Sequence, residues 1–161
     1  QSQPLILSKH LNDTIKDNSF SQVVHSMDIY TFIQNELKLA TRDVAKIALY
    51  RMIFGHTDSL MAKEFYKFFP DTLDYIVRLK STKDNNNPSS KIHSNLAFKM
   101  QRKETEIFRI VWDKLIVNRI PYISIHDGML VRADDAERVK NLMTNILTRH
   151  LGSSAKVNIK M

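Results

Sequence analysis

The sequence YISIHDGMLV, residues 122–131, decides the predicted fold of this chain. An apolar run leads into His126-Asp127-Gly128 and a second apolar run follows, which is the pattern of a β-hairpin with two polar side chains at its tip. A carboxylate held between two strands, as Asp127 would be, is suited to bind a divalent metal ion at a phosphate group. An ordinary Asp-Gly hairpin turn explains the same stretch, and the stretch alone does not separate the two interpretations.

The end of the chain predicts a third strand beside this hairpin. Ala155, Val157 and Ile159 alternate with polar residues, which indicates a half-buried strand over about residues 155–160. Apolar residues at helical spacing predict helices at about residues 28–39, 41–54, 59–69, 72–79, 94–117 and 135–151. We therefore expect an α+β fold that is mostly helical, with a small antiparallel sheet formed by a hairpin at about 122–132 and the strand at about 155–160.

Local signals predict where several helices begin and end. Thr41 is a candidate N-cap for the helix that Gly55 stops, and Pro70 is expected to end the helix before it. Asp134 or Asp135 is expected to cap the last helix. Residues 5–11 are apolar enough to be either the end of a strand or the start of a helix.

Composition limits the class of protein. A chain of 161 residues with 43% hydrophobic residues can form one domain with a buried core. The absence of cysteine excludes disulfides and thiolate metal sites. No apolar run reaches membrane-spanning length and no basic-then-apolar leader begins the chain, so we expect a cytoplasmic protein without membrane contact. The net charge of +7, spread along the chain, favours nucleic acid as a partner.

The three glycines, Gly55, Gly128 and Gly152, are too few for a glycine-rich phosphate-binding loop. Each is expected where the backbone needs a positive φ or a close approach.

One helix carries a row of residues that suits a nucleotide. Arg42, Lys46, Tyr50 and Phe54 recur every four residues and form one stripe, hereafter the Arg42–Phe54 stripe. Its cations could contact a triphosphate and its rings could contact a base and sugar. An amphipathic surface helix with snorkelling Arg and Lys side chains is the alternative. In either case we expect the remaining face to pack inward through Val44, Ala45, Ala48, Leu49 and Met52.

Residues 42–55 resemble motif B of the family A DNA polymerases, R-x-x-x-K-x-x-x-[FY]-x-x-x-[YF]-G, at all five key positions. Asp28-Ile29-Tyr30 and Thr41 are similar to the segments that precede that motif in the family. His126-Asp127 resembles motif C, although Gly128 stands where the family usually has glutamate, or serine in the related phage RNA polymerases. These motifs occur in the family's order along nearly the whole chain.

The resemblance implies a nucleotide-binding role for the stripe. Arg42 and Lys46 would contact the triphosphate, and Lys46 would also protonate the leaving pyrophosphate. Tyr50 would lie near the sugar, while Phe54 and Gly55 would border the templating base.

The resemblance also implies a metal and a nucleic-acid partner. Asp127 would bind Mg²⁺, His126 would lie near the primer end, and Gln101 would contact the primer-template DNA. Two Mg²⁺ ions are expected in the complete enzyme, and they need a second carboxylate. Residues 1–7 are similar to the S-Q end of the family's motif A, so that aspartate is expected before Gln1, on an upstream part of the same polymerase that also holds the thumb.

These expectations divide the single piece 1–161 into three parts. Residues 1–27 would end a motif A-like palm segment, residues 28–93 would form fingers-like helices, and residues 94–161 would form a palm-like helix, catalytic hairpin, helix and strand. The function implied is the C-terminal fingers and palm portion of a family A-like DNA-directed DNA polymerase. It would transfer a nucleotide from a dNTP to a primer 3′ end with Mg²⁺, and it would be inactive as this isolated chain.

Two other functions stay open. One is a non-catalytic nucleic-acid-binding module on the same fold, for replication of a phage or mobile element. The other is a metal phosphohydrolase that uses Asp127 with Asp134 or Asp135, although helix capping explains the last two residues better.

Overall fold

A computed structural model of the protein describes residues 2–15, 19–82, 94–125, 128–152 and 155–159. These residues contain eight α-helices and one β-hairpin, so the fold is α+β and mostly helical, as the sequence predicts. The helices are α1 Ser2–Thr14, α2 Ser19–Ser26, α3 Ile29–Glu36, α4 Arg42–Phe54, α5 Leu60–Phe68, α6 Pro70–Ser81, α7 Asn95–Val117 and α8 Ala136–Leu151. The strands are β1 Tyr122–Ile125 and β2 Gly128–Val131, and a short 3₁₀ turn, Ala133–Asp135, leads into α8.

The predicted third strand is wrong for the described residues 155–159. The sheet has two antiparallel strands, with Tyr122 opposite Val131 and Ile125 opposite Gly128. Residues 155–159 keep the predicted alternation, because Ala155 is buried and the neighbouring polar residues are exposed. Alternation reports which side of an extended segment packs on the core. It does not supply a backbone partner, and this segment packs without joining the ladder.

One open alternative is resolved, and the predicted end of a helix before Pro70 is confirmed, since α5 ends at Phe68. Residues 5–11, which could have been strand or helix, belong to helix α1. Pro70 does not merely end a helix, since it occupies the first turn of α6, where its missing N–H has no intrahelical partner to lose.

Aromatic rings hold the larger of two hydrophobic clusters together. Phe20, Phe65 and Phe69 are almost completely buried, and the Phe20 ring lies 6.0 Å and 5.2 Å from the other two ring centroids. Phe20 comes from α2, Phe65 from α5, and Phe69 from the junction of α5 and α6. Edge and tilted ring contacts therefore join α2 to the α5–α6 region, more than 40 residues further along the chain.

A smaller cluster lies under the hairpin. Phe108, Val111 and Leu115 on α7 pack with Val139 and Met143 on α8. One face of the hairpin packs on this cluster through Tyr122, Met129 and Val131. Helix α7 contributes to both clusters and so connects the hairpin to the rest of the fold.

Gly152 confirms the expectation of a positive φ and a close approach. It ends α8 with φ of 94°, and a Cβ atom there would lie 2.9 Å from the His25 ring. Gly128 does not meet the expectation, because its φ is not positive and a Cβ would meet nothing closer than 3.6 Å.

In the described part of the chain, no helix combines the length and the apolar character that crossing a bilayer requires.

Truncating the ring at the centre of the larger cluster should strongly destabilise the fold. We expect Phe65→Ala to lower the free energy of unfolding by about 3–5 kcal/mol, because the lost burial leaves a cavity. The neighbouring Tyr66→Ala is the control, since Tyr66 is 47% exposed and should change stability by roughly 0.5 kcal/mol or less. Urea denaturation of both variants measures the difference, and equal losses would contradict the assigned packing.

Candidate functional site

Helix α4 is the element that carries the predicted nucleotide contacts. The Thr41 side-chain oxygen accepts a hydrogen bond from the Val44 amide at 3.3 Å, so the predicted N-cap is confirmed. The helix ends at Gly55, whose amide donates to the Arg51 carbonyl at 2.9 Å. A Cβ atom on Gly55 would lie 2.2 Å from that carbonyl oxygen. Gly55 is therefore required by a close backbone approach, and its φ of −74° is not left-handed.

The inner face of α4 decides which residues point outward. Five residues at core spacing are buried: Ala45, Ala48, Leu49, Met52 and Ile53. Val44 was expected to pack inward, but its side chain is 43% exposed. Helical geometry places it about 110° from the centre of the buried face, and Ile53 lies within that face instead. Because this face packs against α3 and α5, most of the Arg42–Phe54 stripe is left at the surface.

The stripe drifts about 120° around the helix, and its first residue turns away from the others. The Arg42 guanidinium donates to both Asp28 carboxylate oxygens, at 2.7 Å and 3.0 Å. It also lies over the Tyr30 ring, 4.7 Å from the centroid. Arg42, predicted to contact a triphosphate, is therefore engaged with α3 in this structure.

Asp28 receives several hydrogen bonds. Besides Arg42, the Thr31 amide and hydroxyl donate to its carboxylate at 3.3 Å and 2.9 Å, which caps α3. Partial burial raises the pKa of Asp28, but the hydrogen bonds from Arg42 and Thr31 outweigh it, so the net pKa lies below the usual value. Asp28 is thus an ionised partner for Arg42 at neutral pH. Burial, and then the neighbouring Tyr50, raise the pKa of the Tyr30 phenol, which stays protonated.

The other stripe residues line one open groove of about 590 Å³, hereafter the α4 groove. The Tyr50 and Phe54 rings stack with centroids 5.8 Å apart and planes inclined by 19°. The groove is lined by Asp43, Lys46, Ile47, Tyr50, Arg51, Phe54 and Gly55. Lys46 is exposed and makes no ion pair with any residue that the structure describes. Flat apolar surface next to an available cation is an arrangement that can hold an aromatic ring and an anion together.

Sequence reasoning missed Lys80, which supports the floor of the α4 groove. Its ammonium donates to the Gly55 carbonyl oxygen at 2.6 Å, and the side chain is only 5% exposed. Burial lowers the pKa of Lys80 to about 8. The sequence did hold a signal, because Lys80 follows Leu73 and Ile76 at helical spacing, on the buried side of α6.

The hairpin residues of the predicted metal site lie outside the described residues. Ile125 pairs with Gly128, and His126 and Asp127 fall between them in the sequence. Among the described residues, no group of three or more His, Cys, Asp or Glu side chains could hold a metal ion. The Mg²⁺ site at Asp127 therefore stays a prediction.

The two other acidic candidates are placed, and the predicted cap of α8 is confirmed in position but makes no side-chain hydrogen bond. Asp134 is exposed, and its carboxylate lies 3.4 Å from the Arg132 guanidinium. Asp135 occupies the N-cap position of α8, but its side chain makes no capping hydrogen bond. Its backbone is helical (φ −95°, ψ −9°) because the 3₁₀ turn continues into the helix, whereas a capping side chain needs an extended backbone.

Gln101, the predicted primer-template contact, is exposed on α7. An exposed polar side chain on a long, well-packed helix is available to a partner, but nothing within the described residues joins Gln101 to the α4 groove. The structure thus places Lys46, Tyr50, Phe54 and Gly55 together in the α4 groove. Arg42 and Gln101 lie outside this groove.

Comparison with known proteins found no matching family model, no similar curated protein and no similar solved structure. The polymerase resemblance therefore depends on the motifs themselves.

The free energy of unfolding at alkaline pH should depend on the lowered pKa of Lys80. Its folded pKa of about 8 is below the ordinary 10.5, so the unfolded chain binds the extra proton between these values. The free energy of unfolding should therefore rise as pH increases from about 8 to 10.5, by up to roughly 3 kcal/mol.

Urea denaturation across this pH range measures the rise. Lys80→Met should remove it, while Lys63→Met, which removes an exposed lysine from α5, should keep it. A rise of the same size in Lys80→Met would show that Lys80 is not its source.

Proposed function

We propose that this protein is the fingers and palm portion of a family A-like DNA-directed DNA polymerase. It would transfer a nucleotide from a dNTP to a primer 3′ end. The observation that carries the proposal is the α4 groove, where Lys46, Tyr50, Phe54 and Gly55 of the motif B-like sequence line one open surface. A polar stripe on a surface helix does not by itself require a groove, stacked rings and an available lysine on the same side.

In this proposal the groove binds the incoming nucleotide. Lys46 contacts the triphosphate, and its ammonium can supply a proton to the pyrophosphate as it leaves. The stacked Tyr50 and Phe54 rings offer apolar surface to the sugar and to the base pair being formed. Gly55 borders that surface without a side chain, and Lys80 holds its carbonyl in place.

Arg42 has a second role that depends on its partner. Its ion pair with Asp28 joins the start of α4 to the cap of α3. A triphosphate carries more negative charge than a carboxylate and matches the same planar guanidinium. We infer that a bound triphosphate competes with Asp28 for Arg42, so nucleotide binding would loosen α4 from α3.

The proposal places Mg²⁺ on the hairpin. Asp127 would hold the ion together with a carboxylate from an upstream part of the polymerase, and carboxylate oxygens are the ligands that Mg²⁺ prefers. When bound, the ion stabilises negative charge on the phosphate oxygens. His126 and Gln101 would contact the primer end and the primer-template DNA.

The hairpin also has a surface that an upstream segment would cover. Ile123, Ile125 and Leu130 are 64%, 45% and 57% exposed and lie on the face opposite the smaller cluster. Exposed apolar side chains on one face of a two-stranded sheet mark a contact surface. Their exposure supports the upstream part of the polymerase as a partner.

Nucleotide binding should depend on Lys46. We expect Lys46→Ala to weaken dNTP binding about tenfold, because one charge-assisted contact to phosphate is lost. Isothermal titration with a dNTP and Mg²⁺ measures the affinity. Lys63→Ala, an exposed lysine on α5, is the matched control and should bind like the wild type. Equal affinities for all three proteins would exclude the α4 groove as the nucleotide site.

Primer extension separates the proposal from a non-catalytic nucleic-acid-binding module. The protein with its upstream residues should extend a primer, and Asp127→Asn should abolish extension while leaving binding to primer-template DNA intact. Binding without extension in the wild-type protein would favour the binding module.

Salt dependence tests the contact with DNA that both functions share. The logarithm of the binding constant should fall linearly with the logarithm of the salt concentration. Each phosphate contact should add about 0.9 to the steepness of this slope. An affinity that does not change with salt would contradict a phosphate-binding surface.

A further inference from the structure

A cleft lies between helices α1, α7 and α8, away from the α4 groove. Its volume is about 440 Å³, which is within the range of ligand-binding pockets. None of its lining residues belongs to α4 or to the hairpin. The lining residues are Ile6, Lys9, His10, Asp13, Lys99, Met100, Arg102, Lys103, Glu106, Ile107, Ile110, His150 and Leu151. We call it the basic cleft.

The floor of the basic cleft is aliphatic. Ile6, Met100 and Ile107 are at most 3% exposed, and Leu151 is 4% exposed. Ile110 is half-buried at the side. These four side chains close the cleft toward the core, and the half-buried Ile110 supplies aliphatic surface that a ligand can contact.

The rim of the basic cleft is positively charged. Lys9 and Lys103 are paired with carboxylates inside the cleft, Lys9 with Asp13 at 2.5 Å and Lys103 with Glu106 at 2.9 Å. Lys99 makes no ion pair with any described residue, and Arg102 adds a further cation. A concave surface with excess charge of one sign focuses its field on a ligand of the other sign.

The cations of the rim affect the pKa of His10. The His10 ring, which lines the cleft, has a nitrogen 2.6 Å from the hydroxyl of Tyr75, a residue outside the lining. Burial lowers the pKa of His10 and nearby Lys99 lowers it further, while Asp13 acts in the opposite direction and Lys103 adds to the lowering. The positive charges thus outweigh Asp13 at this position.

We propose that the basic cleft binds an acidic peptide segment of a partner protein, with a large aliphatic or aromatic side chain on the floor and carboxylates at the rim. The charge of the rim selects an acidic ligand, and the aliphatic floor favours a peptide over a nucleic acid. Within the described part of the chain, no Phe, Tyr or Trp lines the cleft to stack a base, which single-stranded nucleic acid usually needs. This surface does not depend on the polymerase proposal.

Selection from a random displayed-peptide library tests the proposal. Peptides are selected on the protein, and those that still bind the Lys99→Glu variant are removed. The recovered peptides should combine Asp or Glu with at least one large apolar residue. Recovery of peptides without an acidic bias, or of none that depends on Lys99, would overturn the proposal.

Fluorescence anisotropy with a recovered peptide then measures each contribution. We expect Lys99→Glu to weaken binding about tenfold, because a cation at the rim is replaced by an anion. We expect Ile110→Ser to weaken binding as well, because aliphatic surface of the cleft is lost. Lys114→Glu makes the same charge change on α7 outside the cleft and should bind like the wild type. Circular dichroism of all variants checks that the fold is kept.

Two further results would overturn the proposal. One is equal binding by a peptide whose apolar residues are replaced with serine, because charge alone would then explain the interaction. The other is displacement of the peptide by single-stranded DNA with the same dependence on Lys99, because the cleft would then be a nucleic-acid site.

Discussion

Burial of one face of α4 against α3 and α5 is the constraint on which the candidate site depends. Ala45, Leu49 and Met52 are almost completely buried, so α4 cannot rotate about its axis without exposing them. A buried aliphatic side chain is worth about 1.5–3 kcal/mol, so such a rotation would be costly. The orientation of Lys46, Tyr50 and Phe54 toward solvent is therefore fixed by the core and not by the polar residues themselves.

Polar contacts then position the two ends of α4. At its start, Arg42 and Asp28 form a two-bond ion pair that also involves the cap of α3. At its end, the Lys80 ammonium holds the Gly55 carbonyl from within the core. Burial of the Lys80 ammonium without an opposite charge costs stability even with its hydrogen bond, as its lowered pKa indicates. The same hydrogen bond holds the Gly55 carbonyl in one position. Both contacts join α4 to neighbouring helices. A ligand that moved α4 would have to break or rearrange at least one of them.

The sequence predicted six of the eight described helices and the hairpin, because periodicity and caps are local properties. For α1 the sequence allows strand or helix, and it does not predict α2. Thr41 as N-cap follows from its own side chain, and Gly55 as helix end follows from a close backbone approach within one turn. The third strand at 155–160 failed because alternation describes burial and does not identify a pairing partner. The ion pair of Arg42, the hydrogen bond of Lys80 and the basic cleft could not be predicted, since each joins residues that only the tertiary fold brings together. The roles of His126 and Asp127 still depend on the motif resemblance.

Photo-crosslinking locates the nucleotide on the protein directly. The protein, joined to the upstream polymerase segment that the proposal requires, is bound to primer-template DNA and Mg²⁺. The complex is irradiated with an azido-substituted dNTP, and the labelled peptides are identified. If the outer face of α4 is the nucleotide site, the label will attach within residues 42–55, and an excess of unmodified dNTP will prevent it. Labelling confined to other peptides, or labelling of residues 42–55 that unmodified dNTP does not reduce, would contradict a nucleotide site on α4.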